Sequence, residues 1–312
     1  MNHASALSVA PVRQKRALDG VILLDKPTGI TSQTAVLKVK RLFAAAKAGH
    51  TGTLDPMAGG LLPVCLGEAT KFSHLLLDAD KTYRATVRLG ITTSTGDMEG
   101  AVIATAPVRL ERSAAETVLT GLVGEIFQVP PMYSALKHAG KPLYEYARAG
   151  VDIARQARPV RIHRIDLERF TGDELHISLT CSKGTYVRVL AEDIGRALGC
   201  GGCLSALTRT AVGAFTLDAA ASLDAFYEMT PLERDARLLP VDSLVATLPR
   251  VDLDAAQVRR ITTGLAVRGR DAACSGLVRI YGPGQRYLGV ATVESAGIIV
   301  PRRLMATGTG RA

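Results

Sequence analysis

The chain has 312 residues, 47% hydrophobic and 21% charged, with a formal net charge of +9 and a pI near 9.5. That length exceeds what a single core usually organises, so two domains are expected. No apolar run is long enough to span a bilayer, and the basic balance suits a polyanionic partner.

Residues 1–18 carry Arg13, Lys15 and Arg16 behind only a short apolar stretch, the reverse order of a secretory signal. They are expected to be a basic flexible leader on a cytoplasmic protein. Residues 20–25 (GVILLD) form a continuous apolar run that predicts a buried strand. After a turn at 26–29, Thr31 or Ser32 is placed to cap a helix reaching about Ala46. Val36, Val39 and Phe43 share one face of it, and Lys38, Lys40 and Arg41 the other. Residues 49–60 (GHTGTLDPMAGG) are rich in turn formers and read as an ordered loop. A strand at 61–66 and a helix at 69–77 follow. Residues 82–89 alternate, with Tyr83, Ala85, Val87 and Leu89 on one face, as a strand with one covered face does.

Ser113 and Glu116 have capping-box spacing and predict a helix start. A further helix is expected at 143–149. Residues 160–170 and 175–181 read as a hairpin about the Thr171–Asp173 turn. A helix from about Tyr186 to Leu198 stops at Gly199. Residues 240–249 look like a boundary. Beyond them come a short helix at 254–262, closed by Gly264, and strands at 277–281, 287–293 and 298–301, the pattern of a small barrel-like module.

The five cysteines are scattered and odd in number, unlike a disulfide framework. Cys200 and Cys203 form a C-x-x-C without the second pair that a zinc site needs, so they are read as buried thiols and no metal is expected.

The densest cluster of unusual residues is 49–56 (GHTGTLDP). Pro56 biases Asp55 towards extended backbone, and the flanking glycines allow close approach of a ligand. Taken alone, Asp55 is open to two readings, a turn aspartate bonding its own loop or a catalytic carboxylate; the first is the commoner. No phosphate-binding loop or dinucleotide fingerprint occurs. A two-carboxylate glycosidase would need a second acid, and of Glu68, Asp78 and Asp80 none stands out.

Residues 49–56 resemble the catalytic-aspartate motif of the TruB family of tRNA pseudouridine synthases. Residues 20–29 (GVILLDKPTG), 81–83 (KTY), 181–188 (CSKGTYVR) and 207–213 (LTRTAVG) resemble further family motifs, in family order. Residues 131–137 and 141–148 are similar to bacterial members, and the tail resembles a PUA RNA-binding module. The resemblance implies isomerisation of uridine to pseudouridine at position 55 in the T loop of tRNA, without a cofactor. It implies Asp55 as the catalytic carboxylate, Arg188 as its cationic partner and Tyr83 stacked on a flipped base, a contact worth about 1–3 kcal/mol. His50, Lys26, Tyr186, Lys183 and Leu207 lie in these motifs and are expected at the substrate.

The implied fold is α+β. A catalytic domain over 19–245 carries a mixed, largely antiparallel sheet, and a PUA-like, β-barrel-like module covers 246–312. The implied partner is the tRNA T arm, bound by a monomer with no membrane and no guide RNA. Arg155, Arg158, Arg161, Arg164 and Arg169, with Arg302 and Arg303, are candidate phosphate contacts. Gly59 and Val189 depart from the residues more frequent in the family. Two other classes fit less well: an RNA chaperone without chemistry, and a guide-RNA-dependent relative, against which residues 100–150 argue.

Overall fold

The computed structural model describes residues 15–269 and 274–306. Its main element is a ten-stranded mixed sheet. Gly20–Lys26 pairs antiparallel with Ala58–Leu66 along its whole length, and burial of almost every residue in both explains why they read as unbroken apolar runs. Ala58–Leu66 runs parallel to Gly202–Val212, which pairs antiparallel with Lys81–Leu89. Glu174–Cys181, Arg158–Phe170 and Gly124–Gln128 extend the sheet, all antiparallel. The expected α+β, largely antiparallel architecture is what is found.

Lys81–Leu89 alternates between buried and more open positions as its sequence requires, placing Tyr83, Ala85, Val87 and Leu89 in the core. The first helix is Ser32–Leu42, capped by the Thr31 hydroxyl, which accepts from the Thr34 N–H. It ends short of Ala46 because Ala44 adopts a positive φ of 49°. The helix expected over 69–77 is split at Phe72 into a 3-10 turn, Gly67–Lys71, and Ser73–Leu77.

The capping box expected at Ser113 does not form. The helix Arg112–Gly121 begins earlier, after Glu111, and Glu116 is taken by Arg112, whose Nε donates to it at 2.6 Å. Two small hairpins, Ile91–Thr93 with Val102–Thr105 and Lys137–His138 with Lys141–Pro142, had no clear sequence signal. The helix Val187–Ala197 stops before Gly199, whose φ of 77° only glycine adopts cheaply.

Residues 1–14 of the expected leader lie outside the described residues. At its end Arg16 donates to Asp235 at 3.0 Å, and the Arg16 backbone N–H bonds the Ala44 carbonyl.

The C-terminal sheet orders Arg250–Asp252, Gly276–Gly282, Arg286–Val293, Ile298–Leu304 and Val267–Arg268 around a core that includes Leu253, Ile261 and Ile280. This module also shares a core with the main sheet. Val290 is buried in one cluster with Phe72, Leu76 and Leu244, and the rings of Phe72 and Tyr287 lie 5.6 Å apart. Tyr281 adds a hydroxyl bond to Asp242 at 2.6 Å. Among the described residues no helix is long and apolar enough to cross a membrane.

Candidate active site

The loop carrying Asp55 leaves the sheet at Ala48–His50 and returns at Ala58–Leu66. Few of its backbone groups can pair within a loop so short, and side chains from elsewhere take their place. The Ser32 hydroxyl, at the start of the first helix, accepts from Leu54 N–H at 2.8 Å and donates to Leu54 C=O at 2.9 Å. His50 Nδ1 accepts from Gly52 N–H at 3.2 Å. Burial pushes the His50 imidazole below its usual pKa, with the charge of Arg209 adding to the effect. Past the aspartate, Ala58 N–H bonds the Asp55 carbonyl and Gly29 N–H bonds the Pro56 carbonyl.

Asp55 is thereby presented, 39% exposed, to a buried guanidinium: Arg188 Nε lies 3.0 Å from its Oδ2. The other donors of Arg188 are engaged as well. Nη1 bonds the Thr95 carbonyl at 3.0 Å and Nη2 the Tyr133 carbonyl at 2.6 Å, while Nε also lies 3.5 Å from Asp97. Two carboxylates thus face one cation, with all the groups fixed before any ligand arrives. They open on a cavity of about 760 Å³ lined also by His50, Thr95, Tyr133 and Tyr144, within the range of small-ligand sites.

The residues singled out from sequence fall into two groups. Asp55, Arg188 and His50 line the cavity. Tyr83 does not: it is 9% exposed, in one cluster with Leu54 and Leu207, and stands in register with Arg209 on the neighbouring strand. Burial raises its pKa. Lys26 is buried behind the loop, donating to the carbonyls of Pro27 and Ile30, and burial pushes its ammonium down to about 8 against the pull of Asp55. Leu207 is a core residue of the central strand. The backbone of Tyr186 is clamped by Gln128, and Lys183 is exposed, paired with Asp78 at 2.8 Å.

Arg158, Arg161, Arg164 and Arg169 are exposed, although Arg164 is partnered by Asp166 and Arg302 by Glu294. At Gly59 a β-carbon would come within 3.2 Å of the Lys26 carbonyl, so the glycine suits the close packing in this chain.

Asp97, Arg209 and Ser32 were not anticipated. Asp97 follows a positive-φ glycine, Gly96, in a polar turn, a weak copy of the signal at Asp55. Arg209 shares the alternation of Leu207 on a central strand, and a charge at such a position is the cue that was available.

The comparisons with known proteins agree with this architecture. The complex of Cbf5 with Nop10 and Gar1 superposes with a TM-score of 0.71 at 28% identity, over 91% of this chain and 84% of that one. An H/ACA ribonucleoprotein bound to a substrate RNA containing 2'-deoxyuridine gives 0.69 at 26% identity, over 92% and 85%. The fold is that of the pseudouridine synthases.

Residues 40–187 match the model of the TruB family pseudouridylate synthase N-terminal domain. Residues 188–246 match the tRNA pseudouridylate synthase B C-terminal domain, and 249–305 the pseudouridine synthase II TruB C-terminal model. A protein of Aromatoleum aromaticum described as tRNA pseudouridine synthase B is 57% identical over 94% of this chain and 95% of its own length. One of Burkholderia mallei with the same description is 55% identical over 97% and 99%. The chain belongs to the TruB family.

Proposed function

We propose that this chain is a tRNA pseudouridine synthase, an isomerase that converts the uridine at position 55 of the T loop using Asp55 as its catalytic carboxylate. The observation that carries the reading is the 3.0 Å pair of a cavity-facing Asp55 with a buried Arg188. The reaction breaks the N1–C1′ bond, turns the base and joins C5 to C1′. C5 loses a proton, N1 gains one, and the composition of the RNA is unchanged. Such an exchange needs a carboxylate held in place at the sugar, and the loop holds Asp55 against Arg188 at the cavity.

The target base must leave its stack, at a cost of a few kcal/mol. The cavity receives it beside Asp55, and Tyr83 becomes its stacking partner once the base displaces the packing around Leu54 and Leu207. Lys26, Tyr186, Lys183 and Leu207 support the substrate from the rim and the rear. The exposed arginines of Arg158–Phe170 and the C-terminal module meet phosphates, giving salt-dependent affinity for the T arm.

The chain works as a monomer without a guide. Its relatives described as tRNA pseudouridine synthase B match over nearly their whole length, which supports this over the assembly mode of the ribonucleoprotein neighbours. Residues 19–245 act as the catalytic domain and 246–312 as the RNA-binding module.

The test is incubation of the purified chain with unmodified tRNA transcript and with an isolated T-arm hairpin, followed by mapping of pseudouridine. Product at position 55 in both substrates, lost in Asp55→Ala with RNA binding retained, is the expected result. Product from Asp55→Ala, or none without an added RNA or protein, would overturn the reading.

A further inference from the structure

Arg209 is the largest of the fully buried side chains, 1% exposed. It stands on the central strand Gly202–Val212, in register with Tyr83 on one neighbouring strand and with Gly60 on the other. Its guanidinium is spent on the loop that bears Asp55. Nη2 donates to the Gly52 carbonyl at 3.1 Å, Nη1 to the Thr53 carbonyl at 3.4 Å, and Nε to the Leu61 carbonyl, beyond the loop, at 2.8 Å. From the opposite side the buried Ser32 hydroxyl takes both backbone groups of Leu54. Gly52, Thr53 and Leu54, the run leading directly into Asp55, are therefore each held by a buried side chain from an element outside the loop.

An apolar side chain of like volume at this position would leave the Gly52, Thr53 and Leu61 carbonyls without their donor, so Arg209 serves the fold as well as the site. What the guanidinium supplies is planar, divergent donors that span carbonyls an apolar residue would leave unpaired. A misplacement of about 1 Å at a reacting group costs about 100-fold in rate.

We infer that Arg209 and Ser32 are positioning residues for the chemical step: together they fix the backbone that aims Asp55 at Arg188. The inference deepens the proposed function and rests on Asp55 being the catalytic carboxylate. Arg209 does not line the cavity, and Ser32 lines it but spends its hydroxyl on both backbone groups of Leu54, so both act through the loop.

The experiment compares the full-length chain with Arg209→Lys, Ser32→Ala and Asp55→Asn. It measures the limiting single-turnover rate on tRNA transcript at saturating enzyme, the dissociation constant for the same RNA, and the melting temperature. Arg209→Lys keeps the charge, but one ammonium cannot span the three carbonyls. It is expected to lose about 10- to 100-fold in limiting rate, and Ser32→Ala about 10-fold, each with RNA affinity within about threefold of wild type. A purely structural role would lower the melting temperature and the reacting amplitude while leaving the limiting rate of the folded fraction unchanged.

Wild-type limiting rates in both variants, with Asp55→Asn inactive, would overturn the inference and leave the proposed function standing. An active Asp55→Asn would remove both. Should Arg209→Lys fail to fold, the limiting rate of Ser32→Ala decides: a loss upholds the inference and a wild-type value overturns it.

Discussion

Asp97 and Asp55 meet at the same guanidinium, with Arg188 Nε 3.5 Å from the first carboxylate and 3.0 Å from the second. Their surroundings differ. Asp97 is 4% exposed and built into a turn, where Thr95 Oγ1 and the Glu99 N–H both donate to its Oδ1, whereas Asp55 opens on the cavity. Asp97 is the fixed anchor of the cation, and Asp55 is the partner free to meet a ligand.

Replacing Asp97 by Asn removes the anchor's charge while keeping its shape. Arg188 then keeps Asp55 as its one charged partner, beside its bonds to the Thr95 and Tyr133 carbonyls, and its electrostatic anchoring weakens. A loss of about 2–3 kcal/mol in transition-state stabilisation is expected, or about 30- to 150-fold in kcat/KM, appearing mainly in kcat. Steady-state kinetics on tRNA transcript would measure it; an unchanged kcat would show that Arg188 needs no second carboxylate.

Arg188→Lys should be more severe. An ammonium reaching towards Asp55 gives up the bonds to the Thr95 and Tyr133 carbonyls and leaves buried acceptors unpaired. The expected outcome is a rate lowered by more than about 1000-fold, with a stability loss of about 1–3 kcal/mol in urea denaturation. A variant within tenfold of the wild-type rate would contradict this account of the pair.

Gly60 has a φ of 95°, and a β-carbon there would fall 2.4 Å from the Arg209 carbonyl. Gly60→Ala therefore combines backbone strain with a clash on the central strand, costing about 3 kcal/mol or more. A melting temperature within a degree of wild type would show that the strands can separate at this point without penalty.

Lys81 donates to the carbonyls of Leu77 and Ala79, and burial pushes its ammonium down to about 8. The folded-state pKa thus lies below the unfolded value of about 10.4. Between about pH 8 and 10.4 the unfolded chain binds the extra proton, so this group's contribution to stability rises with pH across that window and is absent below it. Lys81→Met removes the dependence. The wild type should gain about 1–2 kcal/mol on the variant between pH 8 and pH 9.5, at about 1.4 kcal/mol per unit before partial screening, and paired urea titrations read it directly.

Much of this molecule was legible in its sequence, for identifiable physical reasons. The strands Gly20–Lys26 and Lys81–Leu89 announced themselves because burial on two faces or on one leaves an unbroken or an alternating apolar pattern. Asp55 and Arg188 were marked out by motifs that keep their order along the chain, and the structure brings them within 3.0 Å; the glycines and Pro56 alone left Asp55 open to a turn role. Tertiary reassignment of single side chains was not legible. Glu116 went to Arg112 instead of to a cap. Asp97 and Arg209 act through partners more than fifty residues distant in the chain, such as Arg188 for the first and Gly52 for the second, and no local pattern records such a partnership.

Phe72 lies against Tyr287, and Val290 closes the same apolar cluster, so the C-terminal module is seated on the main sheet rather than tethered to it. The interval between that module and the cavity is consequently a constant of the molecule. Under the proposed function, an RNA that touches both surfaces has to match that span, a demand a folded arm meets more readily than a slack strand.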